Sequence, residues 1–139
     1  MLTFVPPTVP PALRDQVAEL VRSPSTFCRV HKVQHKDSKQ EIAFDPLPMQ
    51  TKIFAAVEAG HKRIAVIKAR QVTATTACKF VLHQQWTSTE TESMHALVSL
   101  RAESATALLD DHRRWLRHPP ALLQRELDTR AKGELRYSD

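Results

Sequence analysis

The residues best placed to do chemistry lie between an apolar run, Arg63 to Ala69 (RIAVIKA), and a helical pattern that begins at Thr75 (TTACKFVLHQQW). The connection reads Lys68-Ala69-Arg70-Gln71-Val72-Thr73-Ala74-Thr75-Thr76. Two cations ahead of a loop and two hydroxyls at a helix start are the residue types that hold phosphate. Backbone N–H groups curl around the anion, the positive end of the helix points at it, a cation neutralises the outer phosphates, and a hydroxyl reaches Mg²⁺. Lys68 and Arg70 supply the cations; Thr75 and Thr76 supply the hydroxyls. A plainer reading stands beside this one: solvated charges at a strand end, and threonines that cap a helix whether or not metal arrives.

The elements that position this loop are those of an α/β protein. RIAVIKA is short, continuous and β-branched, as a strand buried on both faces of a parallel sheet is. The helix after it carries Ala77, Phe80 and Val81 on one side. TSTETES connects to a second strand, MHALVSL, and AESATALLDDHRRWL is a helix with Ala102, Ala105, Leu108, Leu109, His112, Trp115 and Leu116 on one face. Two successive βα units over residues 63–116 predict parallel strands with right-handed crossovers. Pro119 and Pro120 stop that helix, ALLQREL predicts another short one, and GELRYS predicts a third strand. Upstream, prolines 6, 7, 10 and 11 keep the start extended, and ALRDQVAELV is a helix ending near Ser23-Pro24. FCRVHKVQ and EIAF flank the polar HKDSKQ, so residues 27–44 predict a β-hairpin. DPLP then breaks regular structure before MQTKIFAAVEAG, a helix that Gly60 terminates.

At the loop the sequence resembles the large terminase subunits of tailed bacteriophages, ATPase motors that package and cut viral DNA. In many of them a deviant Walker A segment reads as a strand followed by KARQxGxST, and KARQVTATT matches it at Lys68, Ala69, Arg70, Gln71, Thr75 and Thr76. FDPLPMQ is similar to the family's adenine-recognition element, which places Gln50 in that role, and HALVSLRAESATALL is similar to its second strand and helix. The resemblance covers about residues 40–139. It implies a P-loop NTPase-like fold and ATP with Mg²⁺ as cofactors. Gln50, Lys68, Arg70, Gln71, Thr73, Thr75 and Thr76 become the nucleotide-binding set, with Thr75 as the Mg²⁺ ligand. Double-stranded DNA, the portal and the small terminase subunit are the implied partners, in the cytoplasm of a bacterial host. Residues 1–45 are then an N-terminal extension, and residues 46–139 the first part of the ATPase domain.

Two departures from the family pattern carry consequences. The loop glycine falls on Thr73, a β-branched residue that resists a positive φ. The Walker B strand and the nuclease domain are expected beyond residue 139, so the chain reads as truncated, with no catalytic residue and no hydrolysis expected from it alone. Asp110 and Asp111 do not substitute for Walker B, because they fall on a predicted helix.

Composition narrows the alternatives. With 139 residues the chain suits one domain or part of one, and 42% hydrophobic with 25% charged residues is globular rather than disordered. The chain has 2 glycines, which excludes any phosphate cradle built from several. A net charge of +5 favours an anionic partner. There is neither an apolar run of membrane-spanning length nor a signal-type start, so no membrane partner is expected. Cys28 and Cys78 are too few and too far apart for a disulfide framework. His31 and His35, spaced as on a strand and without a third ligand, predict no metal site, while His112 reads as a partly buried, hydrogen-bonded histidine. Two further readings remain: a non-catalytic basic module that holds DNA or a capsid partner through the same loop, and a superfamily-2 helicase remnant.

Overall fold

Prolines open the first helix. Pro10 and Pro11 lead through a 3-10 turn, Pro11–Leu13, into α1, Arg14–Arg22, which buries Val17 and Val21. The computed structural model describes residues 5, 9–35, 37–67, 73–88, 96, 98, 102–117, 123, 127–128 and 136–137. Ser23, extended as residues before proline are, ends α1 and starts α2, Pro24–Phe27, where its Oγ accepts the Thr26 N–H. A 3-10 turn over Cys28–Val30 continues it. Strand β1, Lys32–Gln34, then pairs antiparallel with β2, Glu41–Ala43, in the register Lys32↔Ala43, Val33↔Ile42 and Gln34↔Glu41.

The hairpin is therefore shorter than residues 27–44. Phe27 and Cys28 are both fully buried, and adjacent residues share one core only where the chain coils, since a strand points them to opposite faces. The Ser23 cap and the proline at the first helical position supply the local reason for coiling.

Helix α3, Pro48–Glu58, buries Gln50, Ile53 and Phe54. It ends as a Schellman motif: Gly60 at φ +80° donates to Val57 O at 2.9 Å, and His61 N–H donates to Ala56 O at 3.2 Å. Helix α4, Ala74–Ser88, is the central element, burying Ala74, Ala77, Phe80, Val81, His83, Gln84 and Thr87 and packing against α1, α2, α3 and α5. Helix α5, Ala102–Arg117, adds His112 and Trp115 to the core. Phe27, Phe54 and Phe80 are each 0% exposed, and the Phe80 ring lies 4.9 Å from Phe44 and 5.1 Å from Trp115, both edge-on.

Residues 63–67, expected as part of the first parallel strand, carry no strand pairing, and Ile67 is 97% exposed. The rest of that strand, residues 68–69, lies outside the described residues, as does the second expected strand apart from residues 96 and 98. The sheets among the described residues are two antiparallel pairs. The second joins β3, Leu127–Asp128, to β4, Arg136–Tyr137. Leu127 thus stands in a strand where ALLQREL predicted a helix. The third expected strand, at GELRYS, overlaps β4.

Candidate functional site

The motif residues that the structure describes meet where α3 and α4 begin. Leu47, held extended before Pro48, delivers its N–H to the Gln50 side chain one turn into α3 at 2.9 Å. From there Gln50 Nε2 donates to the carbonyl oxygen of Thr73 at 3.2 Å, across 23 residues of sequence. Thr73 O also accepts the Thr76 N–H at 3.1 Å and the Ala77 N–H at 3.4 Å, so it closes the first turn of α4. Gln50 is 4% exposed and its amide is engaged at both ends. At the far ends of the same helices Val57 and Gln85 line one groove, so α3 and α4 run side by side in one direction. Their N-termini, the positive ends of both helix dipoles, lie together at Gln50 and Thr73.

Thr75 is exposed and Thr76 half-buried in the first turn of α4. Their hydroxyl-bearing positions therefore sit at the shared positive end. Mg²⁺ keeps much of its own water and binds through few protein ligands beside phosphate oxygens. Thr75 fits as one ligand of a nucleotide-borne ion and not as a metal site by itself. Among the described residues no group of three or more His, Cys, Asp and Glu is placed to hold a metal. Lys68, Arg70 and Gln71 lie outside the described residues. Thr73 itself has no left-handed backbone: among the described non-glycine residues a positive φ occurs at Lys39, at 59°. The β-branched residue at the family's glycine position thus carries no strain of that kind.

The groove at the other end of the helix pair, of about 420 Å³, is lined by Val57, Gly60, His61, Lys62, Ile64 and Gln85. It lies ~16 Å along α4 from Ala74, at the helix rise of ~1.5 Å per residue, and is separate from the motif. Asp110 is engaged on α5 by Arg113 at 2.9 Å. Both cysteines are free; Cys28 is buried, its S–H donates to Ser25 O at 3.3 Å, and burial pushes its thiol up. That is an inert, structural thiol.

Of the three buried histidines, His112 was expected on the apolar face of its helix, whereas His31 and His83 were not expected inside. His35 is exposed and its Nδ1 accepts the Ser38 N–H at 3.3 Å, whereas His31 turns inward to meet His83, its Nε2 3.3 Å from His83 Nε2. His83 shares the apolar side of α4 with Phe80 and Gln84, a spacing that was available as a signal. Burial lowers His31, opposed in part by its hydrogen bond to Phe27 O. Burial, then His31 and His112, hold His83 well below the ordinary histidine range.

Compared with known proteins, the chain matches no family, no curated protein and no solved structure at a significant level. Among the described residues no helix is long and apolar enough to cross a membrane.

Proposed function

We propose that residues 46–139 form the first part of the ATPase domain of a phage terminase large subunit, the motor that drives viral DNA packaging with ATP. One observation carries this reading: the two segments matched independently to that family, FDPLPMQ and KARQVTATT, are joined directly by the Gln50 to Thr73 hydrogen bond. They meet where two helices present their N-termini together, an arrangement that favours an anion. On this reading Lys68 and Arg70 neutralise phosphate charge, Thr75 and Thr76 offer hydroxyls beside it, and Gln50 ties the adenine side of the site to the phosphate side. Bound Mg²⁺ supplies further charge neutralisation on the phosphates. Duplex DNA, the portal and the small terminase subunit are the partners of such a motor, in the cytoplasm of a bacterial host. On this reading no ATP turnover is expected from these residues alone, since the acids that would position water are expected outside them.

A second reading is favoured by a different observation. The Gln50 amide is already engaged at both ends without a ligand, and Thr73 has no positive φ. The same loop and the net charge of +5 then serve a non-catalytic module that holds DNA. Titration with a fluorescent ATP analogue in the presence of Mg²⁺ separates the two. The ATPase reading expects weak binding that Lys68→Ala or Arg70→Ala abolishes, with no hydrolysis above background. Absence of nucleotide binding at millimolar concentration, with salt-sensitive binding to unrelated duplexes, leaves the module and removes the ATPase reading.

A further inference from the structure

Three histidines from separate parts of the chain meet inside the core. His31 follows the turn after α2, His83 lies in α4 and His112 in α5; they are 4%, 1% and 5% exposed. The His83 ring centroid is 5.2 Å from that of His31 and 5.8 Å from that of His112, with Phe27, Phe80 and Trp115 packed around them.

The hydrogen bonds fix where the protons sit. His31 Nδ1–H donates to Phe27 O at 2.9 Å, so His31 Nε2 carries the lone pair that faces His83 Nε2 at 3.3 Å. His83 Nε2 therefore holds a proton and its Nδ1 a lone pair, and that Nδ1 is buried with no hydrogen-bond partner. One more proton has no place in this arrangement. On His83 it lands on Nδ1, which faces no acceptor; on His31 it sets two N–H groups against each other.

We propose that the cluster is an acid-sensitive latch: while its imidazoles are neutral it holds the α2 turn, the β1–β2 hairpin and α5 onto α4, and proton uptake releases the hairpin and α5. The hairpin and α5 are already one unit, because Trp115 Nε1–H donates to Lys32 O at 3.0 Å. Among the described residues, the charged and titratable groups around the latch do not offset an added proton. From α4 comes Lys79, buried one turn before His83; from β1, Lys32, exposed. From α5, Asp110 is engaged by Arg113 on the outer side, with Arg114 beside it. From the turn after α2 come Arg29, exposed, and Cys28. The carboxylates of Asp45 and Glu58 act on Cys28 and not on either histidine.

The direction follows from linkage. His31 and His83 are lowered in the folded chain and ordinary, near 6.5, when unfolded, so the unfolded state binds protons first as pH falls below that value. Each such histidine lowers the folding constant about tenfold per pH unit until its folded value is reached.

Urea unfolding of the wild type, His83→Phe and the exposed-site control His61→Gln tests the latch at about pH 7.5 and 5.5. The wild type and the control should lose about tenfold to a hundredfold in folding constant, and His83→Phe should lose about tenfold less. Hydrogen exchange, corrected for the intrinsic rate, should quicken in residues 32–34, 41–43 and 102–117 of the acidified wild type before it quickens in α3. If His83→Phe does not fold, the wild type alone decides. A folding constant that changes less than about threefold over this range, or exchange that quickens equally in every helix, overturns the proposal.

Discussion

Replacing Gln50 removes the bridge on which the candidate site depends, and its size can be worked from the surrounding groups. Gln50→Met keeps most of the buried volume and deletes both hydrogen bonds. The Leu47 N–H can turn to water because Leu47 is 52% exposed, and Thr73 O keeps Thr76 and Ala77 as donors. Neither partner is stranded, so the loss is the net value of two hydrogen bonds, about 2 kcal/mol. Gln50→Glu keeps an acceptor for Leu47 but sets a buried carboxylate oxygen against the Thr73 carbonyl, and should cost about 3 kcal/mol or more at neutral pH. Burial and that carbonyl raise the folded-state pKa of the introduced carboxyl by more than the two helix N-termini beside it lower it. Its protonated form, which can donate to Thr73 O, is therefore favoured at low pH and lost as pH rises through the raised value. The deficit relative to wild type should shrink on going from about pH 7.5 to 5.5, a comparison at equal pH in which the histidine contribution cancels. Urea midpoints followed by circular dichroism measure both variants. A Gln50→Met protein within about 0.5 kcal/mol of wild type, or Gln50→Glu the milder change at neutral pH, refutes the bridge.

Two further substitutions test the backbone on either side of the site. Thr73→Gly should lower stability by about 0.4–1 kcal/mol without improving phosphate or nucleotide affinity, because the unstrained backbone gives glycine only unfolded-state entropy to add. Thermal denaturation and a phosphate titration check it, and a variant both more stable and tighter-binding would mean a curled loop. Gly60→Ala should cost about 1 kcal/mol through backbone strain alone, since Gly60 sits at φ +80° and an added Cβ meets nothing within 4 Å. An unchanged urea midpoint would contradict the Schellman end of α3.

Which parts of this architecture were legible in the sequence depends on how local their causes are. Helix α3 is written in MQTKIFAAVEAG, with prolines before it and Gly60 after it, and α4 and α5 are written in apolar residues at helical spacing. The FCRV segment alternates like a strand, yet coils, because a serine cap and a proline four and three residues upstream set its first turn and both Phe27 and Cys28 belong in the core. The Gln50 to Thr73 bond spans 23 residues and the His31 to His83 contact 52, and no local pattern pairs residues so far apart. Gln50 was reached through family resemblance, and the structure gives that residue a physical task as a bridge between two helix starts. His83 reads in isolation as a polar residue interrupting an apolar face; its partners on α2's turn and α5 are what make burial tolerable.

The proposed nucleotide site is tested most directly by hydrogen exchange with and without MgATP, resolved to residues 47–50 and 73–77. If FDPLPMQ and KARQVTATT form one adenine- and phosphate-binding site, MgATP should slow exchange in both segments together, and more than MgGTP or inorganic triphosphate does. Unchanged exchange in both segments at millimolar MgATP, or protection that inorganic triphosphate reproduces in full, would contradict an adenine-nucleotide site at Gln50 and Thr73.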